Sequence, residues 1–210
     1  MEPFTTLTGI AAPLLRPNID TDIIIRIERL IGGDPKSLGP YAFESWRYRP
    51  DGSEDPDFVL NREPFRRARI LIAGENFGCG SSREGAVWAL QGFGILCIIA
   101  PSFGDIFFNN CFQNGVLPIR LERPTIERLV ASLAGDPARP VSVDLRQSLI
   151  LAPLNERLSF AVDPGRRAAL LQGLDEIGRT LRHDQAIAAF QARDRAERPW
   201  VYAAETRSEA

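Results

Sequence analysis

Between residues 70 and 121 the chain alternates unbroken apolar runs with amphipathic ones. Ile70-Leu71-Ile72-Ala73 and Ile95-Leu96-Cys97-Ile98-Ile99 contain no polar side chain. They bracket a glycine-rich turn and a helical pattern over residues 82–92, which predicts a β-loop-α-β unit. Runs that are apolar at every position, rather than at alternate ones, imply strands buried on both faces and joined by a right-handed parallel crossover. A short helix over 103–112 and a strand over 116–121 continue the alternation. Pro124 sits where a helix tolerates a missing N–H, and starts a helix to Gly135 with Ile126, Leu129, Val130 and Leu133 on one face. Strand-length runs at 141–145, 149–152 and 158–162 predict an antiparallel meander. Leu170, Leu174, Ile177 and Leu181 then recur at helical spacing, and Ile187 and Phe190 continue into a second helix.

The N-terminal part is less regular. Leu7 to Leu15 reads as extended chain, Asn18-Ile19-Asp20-Thr21-Asp22 as a turn, and Ile23-Ile24-Ile25 as a short buried element. Residues 32–61 gather Gly, Pro, Asp and Ser around the aromatic residues Tyr41, Phe43, Trp46 and Tyr48. Loops of that length are uncommon in compact domains and are usually functional or interfacial. The expected organisation is one α/β domain over residues 1–198 and a tail over 199–210. At 210 residues a split into two units would leave each half with a meagre core.

Composition narrows the function. Apolar and charged fractions of 44% and 25% are those of a globular protein, and no apolar run is long enough to cross a bilayer. Met1-Glu2-Pro3-Phe4 has neither a basic start nor an apolar stretch behind it, so a cytoplasmic location without membrane contact is expected. A net charge of −2 provides no overall field for a polyanion, which argues against nucleic acid as a partner. Cys79, Cys97 and Cys111 form neither a disulfide framework nor a C-x-x-C ligand pair, and the single histidine, His183, rules out an imidazole-based zinc site. No metal is expected on this chain.

The chemistry concentrates in Gly74-Glu75-Asn76-Phe77-Gly78-Cys79-Gly80-Ser81-Ser82-Arg83-Glu84, between a buried strand and a helix start. Gly78 and Gly80 allow a sharp bend and close approach to a ligand, and the N–H groups of the following helix start favour an anion. Two hydroxyls and the planar fork of Arg83 add directed donors suited to a carboxylate. Ser81-x-x-Glu84 also fits a capping box, which would account for two of these residues but not for the glycines, the second serine or the arginine. A Walker loop would need lysine where Ser81 stands. A nucleophile elbow would need G-x-S-x-G, which the stretch from Gly78 to Ser82 does not supply.

Asn76 to Glu84, followed by Trp88-Ala89-Leu90, resembles the signature of the 3-isopropylmalate dehydratase small-subunit family of the aconitase superfamily. Asn18-Ile19-Asp20-Thr21-Asp22, Trp46-Arg47, Asp57-Phe58-Val59-Leu60-Asn61, Ile99-Ala100-Pro101-Ser102-Phe103, Asp105-Ile106-Phe107 and Leu174-Asp175 with Ile177-Gly178 match in the same order, so the likeness covers about residues 5–195. The resemblance implies a swivelling three-layer β/β/α domain, like the last domain of aconitase. It implies a large-subunit partner carrying a [4Fe-4S] cluster, with none bound by this chain, and a small dicarboxylate substrate. By the same resemblance Ser81 is the base that takes a proton from carbon. Ser82 and Arg83 hold a substrate carboxylate, and Asn76, Gly78, Gly80 and Glu84 support the loop. Asp20, Asp22 and Arg26 are further candidates. Asp20 and Asp22 also read as turn or cap residues, and Arg26 as an exposed surface arginine.

Two positions depart from the family pattern. Gly85 stands where histidine is usual, and Arg26 where the isoleucine run usually ends in proline. A related hydro-lyase acting on citraconate and methylmalate or on homoaconitate shares the loop, and a non-catalytic anion-binding module is the reading from another class.

Overall fold

The computed structural model describes residues 1–31, 34 and 37–202. Its framework is one seven-stranded sheet. β1 (Thr6–Leu14), β2 (Ala68–Ala73), β3 (Cys97–Ala100) and β4 (Leu117–Arg120) form one part, and β5 (Val141–Asp144), β6 (Leu149–Leu151) and β7 (Arg157–Ser159) form the other. The spatial order is β4-β3-β2-β1-β5-β6-β7. β1 through β4 pair in parallel, as the continuous apolar runs of β2 and β3 predict for those two, and β5 to β7 form the expected antiparallel meander.

β1 joins the two parts by changing partners along its length. Thr6 to Gly9 pair antiparallel with β5, while Ile10 to Leu14 pair parallel with β2, and the register shifts between Ile10 and Ala11. Such an irregularity bends a strand and increases its twist, so the sheet curls about β1 and its two parts face differently.

Because side chains alternate across a strand, the parallel strands feed two separate cores. Leu71, Ala73, Ile98 and Ala100 point to one side, where α3 (Glu84–Phe93) and α4 (Asp105–Gln113) cover them. Ile70, Ile72, Cys97, Ile99, Leu117 and Ile119 point to the other, against α5 (Arg123–Leu133), α6 (Pro164–Gln172) and the meander. Each fully buried Ile or Leu contributes about 1.5–3 kcal/mol.

Several boundaries differ from the sequence expectation. Ile95 and Leu96 lie in the connection before β3, and α3 begins at Glu84 rather than 82. The periodic run from Leu170 to Leu181 is two helices. Gly173, at φ 66°, ends α6, and Asp175 starts α7 (Glu176–Leu181) by accepting from the Gly178 amide at 2.7 Å. Ile177 and Leu181 therefore turn to solvent, 72% and 63% exposed, instead of continuing the core stripe. α8 (Asp184–Glu197) buries only Asp194. The following 3₁₀ turn, Pro199–Tyr202, bonds back to α8 through the Tyr202 hydroxyl and Asp194 Oδ2 at 2.7 Å. Residues 203–210 of the expected tail, and residues 32, 33, 35 and 36 of the expected loop, lie outside the described residues.

The rest of that loop is built of short turns between α1 (Thr21–Ile24), α2 (Glu44–Arg47) and β2. Its aromatic residues pack inward. Phe43 is fully buried and stacks on Trp46 at 6.4 Å between centroids, with Phe58 at 5.9 Å. Buried Arg47 is tied to Asn61 Oδ1 at 3.1 Å and to the Pro40 carbonyl at 3.2 Å. Among the described residues no helix is long and apolar enough to cross a membrane.

Candidate functional site

The glycine-rich loop follows the carboxyl end of β2, where α/β sheets commonly place ligands, and the chain leaving β1 and β3 braces it from two sides. On the β1 side Asn18 donates its amide to the Glu75 carbonyl at 2.8 Å, and Asn76 Nδ2 donates to Asn18 Oδ1 at 2.9 Å. On the β3 side the Asn76 amide donates to Ser102 Oγ at 2.8 Å, and the Phe77 amide to the Ser102 carbonyl at 3.1 Å. Phe77 is the plug that fixes the loop to the core. It is fully buried, with the Phe107 and Phe103 rings at 5.4 and 6.5 Å.

Beyond Phe77 the backbone takes positive φ at Gly78 (71°) and Gly80 (88°). Gly78 is required twice over, since a Cβ there would fall 2.2 Å from Phe107 Cγ. The Gly78 amide donates to the Ile19 carbonyl at 2.7 Å, and the Thr21 amide to the Cys79 carbonyl at 2.9 Å. The Thr21 hydroxyl then donates to the Ser81 carbonyl at 2.8 Å. The bend is thus stitched to the segment after β1 as a short parallel bridge.

Ser81 and Ser82 are exposed, and among the described residues neither hydroxyl has a hydrogen-bond partner within the chain. Arg83 is different. Its side chain is only 12% exposed, its guanidinium forms an ion pair with Asp22 Oδ1, and it reaches the Ile25 carbonyl at 3.4 Å. Arg83, not Ser81, is the N-cap of α3, and it makes no side-chain cap. The capping-box reading therefore does not hold. Glu84 instead accepts from Asn114 Nδ2 at 2.7 Å, and Asn114 Oδ1 accepts from Trp88 Nε1 at 2.9 Å.

Asp20 lies beside the loop and caps α1 by accepting from the Ile23 amide at 2.8 Å. Arg26 pairs with Glu28 at 3.6 Å on the surface. Of the candidates in the sequence, Asn76, Gly78, Gly80, Ser81, Ser82, Arg83, Asp20 and Asp22 come together, Glu84 anchors the helix behind them, and Arg26 follows Ile25, whose carbonyl Arg83 reaches. Sequence reasoning passed over two residues. Thr21 is 1% exposed between two aspartates, and a buried hydroxyl that must find a partner was the available signal. Asn114, in the turn after α4, carried no such mark.

The cysteines do not fit an iron–sulfur cluster. Cys97 and Cys111 are fully buried, and burial pushes both thiols upward, while half-buried Cys79 is raised by burial and then by neighbouring Asp20. Among the described residues no three His, Cys, Asp or Glu side chains converge on a metal position. The groove between α4, α6 and α7, lined by Asn109, Phe112, Gln113, Arg166, Asp175 and Arg179, contains none of residues 76–83. Ser81 and Ser82 are exposed at the surface.

A family profile described as the aconitase C-terminal domain matches residues 1–124, and a second, described as the C-terminal domain of the 3-isopropylmalate dehydratase small subunit, matches residues 176–204. The chain is 54% identical over 202 residues to the 3-isopropylmalate dehydratase small subunit of Gluconacetobacter diazotrophicus, covering 95% of this chain and 97% of that one. It is 52% identical over 201 residues to the protein of the same name from Rhodospirillum centenum, covering 96% and 99%. The crystal structure of a 3-isopropylmalate dehydratase from Methanocaldococcus jannaschii superposes with a TM-score of 0.64 at 26% identity, covering 89% of this chain and 99% of that one.

Proposed function

The chain belongs to the 3-isopropylmalate dehydratase small-subunit family, whose domain is the swivelling C-terminal domain of the aconitases, and from that membership we propose how its loop takes part in the reaction. The enzyme is a hydro-lyase that interconverts 2- and 3-isopropylmalate in leucine biosynthesis. In this reading Ser81 Oγ takes the proton from carbon in one direction and returns it in the other. Ser82 and Arg83 hold a carboxylate of the substrate, and Asp22 keeps the guanidinium aimed at the loop.

The observation that carries this reading is the contrast within three residues. Two hydroxyls without partners among the described residues lie at the open bend, and beside them is a guanidinium that Asp22 and the Ile25 carbonyl hold in one orientation. A preset planar donor binds a carboxylate without paying again for its own ordering.

Ser81 must ionise to act as a base, and each pKa unit of lowering requires about 1.4 kcal/mol of preferential stabilisation of the alkoxide. The uncapped start of α3 and Arg83 supply part of it. On an open surface, water screens both. Closure against the large subunit would exclude that water, so the small subunit alone is an inactive half. The cysteines here do not fit a cluster, and the [4Fe-4S] group is assigned to the large subunit, where it would act on the substrate hydroxyl as a Lewis acid.

The test is anaerobic reconstitution with the cognate large subunit and assay of isopropylmalate, methylmalate and homocitrate side by side. Isomerisation of isopropylmalate is expected. Turnover of methylmalate or homocitrate alone would transfer the chain to a related hydro-lyase, and no turnover of any substrate would favour a non-catalytic anion-binding module.

A further inference from the structure

Thr21 binds the catalytic loop at two points, and the consequence reaches Ser81. Its amide donates to the Cys79 carbonyl at 2.9 Å and its hydroxyl to the Ser81 carbonyl at 2.8 Å. The two acceptors flank Gly80, whose φ of 88° leaves the bend without a steric preference of its own between neighbouring conformations. The bend is therefore held from outside. Thr21 can do this because it is itself packed in place, being 1% exposed in the first turn of α1, which Asp20 caps.

Peptide geometry carries the effect onward. In a trans peptide the C=O and N–H point in opposite directions, and the one cis bond among the described residues is elsewhere, at Glu63-Pro64. Drawing the Cys79 and Ser81 carbonyls toward Thr21 therefore turns the Gly80 and Ser82 amides away from it, toward the open side of the loop. Among the described residues neither amide has a partner within the chain. Two N–H donors without a partner among the described residues thus bracket Ser81 along the chain, and donors preset toward developing negative charge are among the strongest sources of rate enhancement.

We propose that Thr21 is a positioning residue for Ser81: its hydroxyl and amide clamp the two carbonyls on either side of Gly80 and so fix the outward aim of the Gly80 and Ser82 amides. The inference rests on Ser81 being the base. Thr21 touches neither substrate nor reacting atoms and acts through the loop.

Thr21→Val keeps the shape and removes the hydroxyl, while Thr21→Ser keeps the hydroxyl and removes the methyl. Both are to be reconstituted with the large subunit beside wild type and Ser81→Ala, with assembly checked by co-purification. Thr21→Val is expected to lower kcat by about ten- to hundredfold with KM changed much less, as for a loosened donor set. It should also move the acidic limb of the pH–rate profile to higher pH, because the alkoxide loses stabilisation. Thr21→Ser is expected to restore most of the rate and the original profile.

A Thr21→Val enzyme with wild-type kcat and pH profile would overturn the proposal. So would a Thr21→Ser enzyme as impaired as Thr21→Val, since the methyl rather than the hydroxyl would then matter. If Thr21→Val does not assemble, Thr21→Ala makes the same comparison, and failure of both to assemble assigns Thr21 to folding and also overturns it. The Ser81→Ala arm separates the premise: an active Ser81→Ala enzyme sinks the base assignment, whereas an inactive one beside a normal Thr21→Val sinks only the clamp.

Discussion

Asp22 and Arg83, 61 residues apart in sequence, form an ion pair across the mouth of the loop. The burial is unequal, with the Asp22 side chain 58% exposed and that of Arg83 12% exposed. A pair with one partner so open to water contributes at most about 1 kcal/mol to stability, so its value is directional. Asp22→Asn is expected to change the unfolding free energy by less than about 1 kcal/mol. In the reconstituted enzyme it should lower kcat/KM about tenfold, mainly through KM, as the carboxylate-binding fork loses its aim. Steady-state kinetics beside chemical denaturation reads both, and a large stability loss with unchanged kinetics would make the pair purely structural.

Ser81→Ala should still co-purify with the large subunit, because its hydroxyl has no partner among the described residues, yet lose several orders of magnitude in kcat. On the proposed roles, Ser82→Ala removes a carboxylate contact and is expected to show a larger change in KM than in kcat. Interchange of those two phenotypes would reverse the roles of the serines.

Gly85 lies against the end of Leu30. A Cβ at position 85 would come within 2.3 Å of Leu30 Cδ2, so Leu30 occupies the space a side chain would need. Half-buried Leu30 must turn aside to admit the methyl, so Gly85→Ala is expected to change stability by less than about 1 kcal/mol, the shift of Leu30 offsetting the gain in helix propensity. In a Leu30→Ala background the same change should stabilise. Additivity of the two substitutions in a double-mutant cycle would refute the coupling.

Thiol reactivity distinguishes the three cysteines. Burial raises Cys97 and Cys111 and closes them to reagents, whereas Cys79 is raised less severely and stays partly open. An alkylating reagent at neutral pH is expected to modify Cys79 alone, slowly, in the folded chain, and all three after denaturation. Mass spectrometry of native and unfolded samples reads this, and rapid native labelling at Cys97 or Cys111 would contradict the packing.

Asp194 ties the last turn to α8. Its carboxylate accepts from the Tyr202 hydroxyl and from Arg198, and these bonds, the Tyr202 bond first, hold its pKa below the ordinary value. A depressed folded pKa stabilises fully above the unfolded value near 3.9 and loses that contribution as pH falls through the folded value. Fluorescence of Trp200 should therefore report loosening of this end below about pH 4, and Asp194→Asn should remove that step. An unchanged acid profile in the variant would place the transition elsewhere.

The parallel unit of β2 and β3 and the antiparallel meander were legible in the residues alone, because runs apolar at every position and runs separated by turns leave different marks that need no partner to be read. The sequence also located the loop, since Gly78, Gly80, two serines and Arg83 are local chemistry. Other features were set only by tertiary structure. β1 changes partners at Ile10 and Ala11 because its neighbours come from residues 68–73 and 141–144. The helical run ends at Gly173 because a positive φ there lets α6 stop and α7 start on the Asp175 cap. Thr21 meets Ser81 because the ends of β1 and β2 lie side by side. Apolar period and turn chemistry are properties of neighbouring residues, whereas a hydrogen bond across 60 residues exists only once the sheet has brought its two ends together.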